Sequence, residues 1–139
     1  MKISRFDHIT IAVRDLDAAI ATFTRRFQLD AKDRRRVKHL GIENAFLTLG
    51  DGAIELAAPL REPGAGDHVQ RFLDRRGEGM MNLCLSVEDV NNAIDHLKRC
   101  GVRVIEHKDA DGETIGMIHP KDMHGVMIEI RRGKRVIRD

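Results

Sequence analysis

Residues 7–20 read DHITIAVRDLDAAI, and residues 81–94 read MNLCLSVEDVNNAI. An offset of 74 positions lays His8 on Asn82, Ile9 on Leu83, Ile11 on Leu85, Val13 on Val87, Asp15 on Asp89 and Ile20 on Ile94. Near the other end of each half the same offset lays Glu55, in AIEL, on Glu129, in MIEI. A register held without slippage at both ends implies a duplicated module, since the period is too long for a solenoid repeat.

Each copy has a readable plan. Ile9, Ile11 and Val13 alternate with His8, Thr10 and Ala12, the period of a strand with one strongly apolar face. Asp15 then predicts a helix N-cap, with Leu16, Ile20, Phe23 and Phe27 on one stripe. IENAFLTLG and GAIELAAP predict two strands joined by a tight turn at Gly50, Asp51 and Gly52. The second copy repeats this with MNLCLSV, a helix capped by Asp89 that carries Val90, Ile94 and Leu97 inward, and a stop at Gly101. RVIEH, TIGMIHP and GVMIEIRR supply its remaining strands, and DHVQRFLDRRG between the copies predicts a short connecting helix capped by Asp67. The expected fold is α+β: two tandem βαβββ modules forming a curved mixed sheet around a central cleft. It is expected as one domain over 1–139, with module one at about 5–58, the connecting helix at about 66–77 and module two at about 79–132.

Pleating assigns the faces. With Ile9, Ile11 and Val13 turned to the helices, His8 must face the other side, and the same parity sends Asn82, Cys84 and Ser86 there. Glu55 goes with Ala53 and Ala57, because Ile54 and Leu56 need the helix face; Glu129 goes there because Ile128 and Ile130 do. His8, Glu55, Asn82 and Glu129 are thus expected on one concave surface, two from each half. Inward carboxylates cost several kcal/mol unless something positive lies between them, and a divalent cation is the economical answer. The bland alternatives are a structural His8 and an Asn82 amide that hydrogen-bonds Glu55 or Glu129.

Composition narrows the classes. At 139 residues, 33% charged and 42% hydrophobic, the balance is that of an ordinary globular chain. A net charge of +2, with basic and acidic residues interleaved, gives no ground for a nucleic-acid partner. No apolar run approaches the ~20 residues of a membrane span, so no membrane partner is expected. Two cysteines make no disulfide framework, and a cytoplasmic location is the expectation. Cys84 is expected to act as a small buried hydrophobe. Arg34, Arg35, Arg36 and Lys38 are expected on an exposed edge strand whose charges prevent aggregation. His119, Lys121 and His124 are expected in loops, and RRGKRVIRD as a solvated tail or an arm against a second subunit.

The segments DHITIAVRDLDAAI, AIELAAPL, FLDRRGEGM, GVRVIEH and especially HPKDMHGVMIEI resemble, in this order, the vicinal oxygen chelate superfamily of glyoxalases, bleomycin-resistance proteins and extradiol dioxygenases. Within it the chain is most similar to the methylmalonyl-CoA epimerases. That resemblance implies an isomerase that moves a proton through an enolate on an acyl-CoA or related dicarbonyl acid. It implies metal ligands at His8, Glu55, Asn82 and Glu129, with a divalent metal ion (Mg, Mn, Co or Zn) as cofactor. Relatives carry histidine at the position of Asn82; an amide oxygen suits hard cations such as Mg²⁺, Mn²⁺ or Ca²⁺ better than zinc or cobalt. Proton transfer would fall to Glu129 and to a third-strand carboxylate at the catalytic position that Asn44 occupies here; Asn44 cannot act as a base, and Glu43 would serve only with a register one residue different. A homodimer is implied as well. The other readings are a glyoxalase-I-like lyase and a metal-free small-molecule-binding or resistance protein of the same fold.

Overall fold

The computed structural model describes residues 1–139. Its strands are β1 (Ile3–Ala12), β2 (Ala31–Val37), β3 (Ile42–Leu49), β4 (Gly52–Pro59), β5 (Gly79–Val87), β6 (Val104–Lys108), β7 (Thr114–Ile118) and β8 (Met127–Arg132). The helices are α1 (Leu16–Phe27), α2 (His68–Arg76) and α3 (Val90–Arg99). The order βαβββ therefore occurs twice with α2 between the copies, an α+β fold. No helix is long and apolar enough to cross a membrane.

Two compact units divide the chain, and the boundary falls inside β1. One unit comprises Ile9–Met81 with Val136–Asp139; the other comprises Met1–His8 with Asn82–Arg135. In the first, the strands run in hydrogen-bonded order β2-β3-β4-β1. Glu43 pairs with Ala58, Asn44 with Ala57 and Phe46 with Glu55 across the antiparallel β3–β4 ladder. Val13, Leu16, Ala45, Leu47, Leu56 and Ala58 form a core on the α1 face, joined by Ile11, Ile20 and Phe23. On the opposite face Ala12 and Ala57 pack against Val69, Leu73 and Phe72 of α2.

In the second unit the order is β1-β5-β8-β7-β6. β5 and β8 run parallel, with Cys84 opposite Glu129 and Ser86 opposite Arg131. Val87, Val90, Ala93, Ile94, Ile118, Ile128 and Ile130 form the core beneath α3, with Leu83 and Leu85 packed against it. The alternation read from each sequence copy is thus the alternation of the two sheet faces.

The repeat extends to the caps. Asp15 accepts the Ala18 amide at 3.0 Å, and Asp89 accepts the Asn92 amide at the same distance. Asp67 also precedes its helix, but its side chain makes no capping bond and instead lies 3.2 Å from Arg71. Phe27 departs from the expected stripe: α1 ends there, the ring is 65% exposed, and core contact passes from Phe23 to Leu29. β2 is the edge strand expected from its basic residues, with Arg34 bonded to Asp17 and Glu43, Arg35 to Asp33 and Arg36 to Glu62. The last residues are not a freely solvated tail. The Arg135 amide donates to Asp7, and the Arg138 amide donates to Asp33.

Asp15→Ala and Asp89→Ala should each lower stability by about 1 kcal/mol in denaturant titrations, whereas Asp67→Ala should cost less than about 0.5 kcal/mol.

Candidate active site

In the unit of residues Ile9–Met81, the conspicuous group is the carboxylate of Glu55. It is buried on the face away from α1, and both its oxygens accept short bonds. Thr10 Oγ1 donates to Oε1 at 2.7 Å, and Asn44 Nδ2 donates to Oε2 at 2.6 Å. The two donors come from the strands on either side of β4, so the ladder itself sets the carboxylate plane. Asn44 Oδ1 is buried without a hydrogen-bond partner, an acceptor beside a carboxylate that lacks a donor or a cation. Glu43 is turned away: it pairs with Ala58 on the α1 face and binds Arg34 Nη2 at 2.8 Å. Of the two third-strand candidates, only Asn44 stands with Glu55.

In the other unit, His8 is 2% exposed and Asp7 3%. Buried neighbours along a strand are unexpected, since strict alternation would bury only one of them. Asp7 Oδ2 lies 2.7 Å from His8 Nδ1. Burial pushes the Asp7 carboxyl up, but the His8 hydrogen bond, the Arg135 amide and the charges of His8 and Arg131 outweigh it and leave the group below its ordinary range. As a carboxylate Asp7 can only accept, so Nδ1 carries a proton, and Nε2 holds the lone pair when the ring is neutral and a second proton when it is charged. That atom meets Glu129 Oε2 at 3.5 Å. With the ring neutral these are two acceptors, and a metal ion or a proton between them would relieve the contact.

Asn82 is buried on β5, two residues before Cys84, which lies opposite Glu129. The imidazole nitrogen and the carboxylate oxygen 3.5 Å apart are donor types that suit a borderline divalent cation. Asp7, His8 and Cys84 also cluster, with their ligand atoms all within 4.8 Å of one another. Cys84 fits a metal less well. Burial, then the charge of Glu129 and a hydrogen bond to it, and then the charge of Asp7 raise the thiol well above its ordinary value, which keeps it protonated. Behind these groups Arg131 is buried, with Nη2 3.5 Å from Asp109 Oδ2 and with Nε and Nη1 lacking hydrogen-bond partners.

Residues 7–118 match the Glyoxalase/Bleomycin resistance protein/Dioxygenase superfamily. The chain belongs to this superfamily. Among its relatives, the ethylmalonyl-CoA/methylmalonyl-CoA epimerase of Cereibacter sphaeroides is 33% identical over 135 residues, covering 94% of this chain and 98% of the relative. The mitochondrial methylmalonyl-CoA epimerase of Homo sapiens is 28% identical over 134 residues, covering 94% of this chain and 74% of the relative. The crystal structure of methylmalonyl-CoA epimerase from Mycobacterium tuberculosis superposes with a TM-score of 0.84 at 31% identity, covering 96% and 90% of the two chains. A methylmalonyl-CoA epimerase in complex with methylmalonyl-CoA and NH4+ superposes with a TM-score of 0.86 at 27% identity, covering 99% and 100%. Within a superfamily that is metal-dependent in general, the chain is an epimerase-like enzyme, and neither a lyase nor a metal-free binding protein is favoured.

Asp7, Arg131 and Arg135 were not singled out by periodicity. The one local signal for Asp7 is its place directly before His8. His119 and His124 lie outside the strands as expected, His119 accepting the Lys121 amide through Nδ1.

At pH 8 a thiol reagent should titrate the exposed Cys100 of the native protein and reach Cys84 only on unfolding. Equal rapid reaction of both thiols would contradict the burial and protonation assigned to Cys84.

Proposed function

We propose that this protein epimerises an acyl-CoA or related dicarbonyl thioester acid by metal-assisted proton transfer at the carbon between the two carbonyls. The observation that carries this is the pairing of His8 Nε2 with Glu129 Oε2, the ring being oriented by Asp7. It supports the assignment of His8, Glu129 and Asn82, all of one unit, as residues that would hold a divalent cation, with Mg²⁺ or Mn²⁺ favoured over Co²⁺ or Zn²⁺ by the amide and the carboxylate. Bound there, the cation would supply positive charge for the oxygen of the forming enolate.

Glu129 is the carboxylate that takes the C2 proton. Its side chain is 13% exposed, against 2% for His8. The opposite face of a planar enolate needs a second proton carrier if configuration is to invert. Asn44 cannot titrate, and Glu43 is engaged by Arg34 on the α1 face. Asn44 instead orients Glu55, so the carboxylate of this cross-strand pair sits on β4 rather than on β3.

With a 2-methylmalonyl thioester and added Mn²⁺ or Mg²⁺, deuterium from solvent should enter at C2 faster than the configuration inverts. Glu129→Gln should lower exchange roughly 10²–10⁴-fold. An absence of exchange with all of Mg²⁺, Mn²⁺, Co²⁺ and Zn²⁺ would overturn the epimerase proposal.

A further inference from the structure

Asp7 has a second oxygen, and it is held from the far end of the chain. Oδ1 accepts the backbone amide of Arg135 at 3.0 Å, across 128 positions of sequence. The Ser86 hydroxyl lies 3.5 Å from the same oxygen and donates to the Gly133 carbonyl at 2.9 Å. The Gly133 amide in turn donates to the Val87 carbonyl at 3.2 Å. Arg135 is 8% exposed although Gly133 and Lys134 before it and Val136 after it are exposed. The stretch just after β8 is therefore fastened at three points, one of them the Asp7 carboxylate.

A carboxylate with a single partner can pivot about its Cβ–Cγ bond. Asp7 has a different partner on each oxygen, the Arg135 amide on one and the His8 ring on the other, which removes that freedom. We propose that residues 133–135 are a positioning element for His8: they fix Asp7, and Asp7 fixes the tautomer and the direction of the imidazole. Arg5, whose Nε lies 3.7 Å from Oδ1, and Arg131 would still neutralise Asp7 if the stretch were removed. What the C-terminal stretch supplies is orientation rather than charge. The consequence for metal affinity rests on the metal-assisted proposal above; the consequence for the tautomer does not.

The test compares a chain ending at Arg132, a chain ending at Arg135, Asp7→Asn and Ser86→Ala with the wild type. In the metal-free proteins, at alkaline pH so that the ring carries a single proton, ¹⁵N–¹H correlation of the His8 ring should show the Nδ1–H form in the wild type and in the chain ending at Arg135. A mixture of tautomers is expected in the chain ending at Arg132 and in Asp7→Asn, whose amide can donate to Nδ1. For Mn²⁺ alone, measured by competition with a chelator, these two variants should bind roughly 10–100-fold more weakly than the wild type. Ser86→Ala loosens Gly133 without shortening the chain, so it should shift both readouts in the same direction even if the truncation fails to fold. An unchanged tautomer and an Mn²⁺ affinity within about twofold in Asp7→Asn and Ser86→Ala would overturn the inference. A wild type that binds no divalent metal would remove the proposed function, while the ring spectra alone would still decide the role of the C-terminal stretch.

Discussion

A neutral imidazole presents one lone pair, and the carboxylate of Asp7 decides which nitrogen of His8 carries it. The Nδ1–Oδ2 contact of 2.7 Å is buried on both sides, so water does not compete for either group. With the proton committed to Nδ1, Nε2 is left facing the oxygen of Glu129. Everything chemical in this unit follows from that orientation. Turned over, the ring would present an N–H to Glu129 and form a simple hydrogen bond, with no demand for a cation. Carboxylates in this supporting position are a recurrent feature of histidine metal sites because they fix the tautomer and strengthen the ligand.

The other unit solves a different problem with the same economy. Glu55 is a buried carboxylate whose two oxygens are satisfied by neighbours on adjacent strands, a hydroxyl on β1 and an amide on β3. Cross-strand geometry sets these contacts, and a one-residue slip would exchange Asn44 for Glu43. The observed register places Glu43 against Arg34 at the sheet edge, where its charge offsets a basic strand, and reserves the interior for the amide. An amide beside a carboxylate is tolerable in a buried site, whereas two carboxylates at that spacing would repel unless one were protonated. The distribution of charge between β3 and β4 is thus a constraint on how this enzyme can carry protons.

Much of this was legible in the chain itself. Parity alone separated Leu83 and Leu85, beneath α3, from Asn82, Cys84 and Ser86, and it separated Ile54 and Leu56 from Glu55. The Asp15 and Asp89 caps were readable because a cap is a local bond between a side chain and an amide three residues on. Asp67 occupies the equivalent place before α2 and makes no such bond, which shows that a capping residue type is a permission rather than a guarantee. Phe27 had the right spacing for the α1 stripe, but spacing does not say where the sheet beneath a helix ends.

The sequence by itself determined the duplicated βαβββ plan, the two faces of each strand, and the set of polar residues that turn away from the helices. These follow from pleat and helical turn, which act over two to four residues. Only the tertiary structure decided that Asp7 is buried beside His8 and that Asn44 rather than Glu43 meets Glu55. It also decided that Arg135, near the end of the chain, closes on a carboxylate near its beginning. Those outcomes depend on register, on a break in alternation within β1 and on contacts across up to 128 positions, and no local periodicity carries information over that distance.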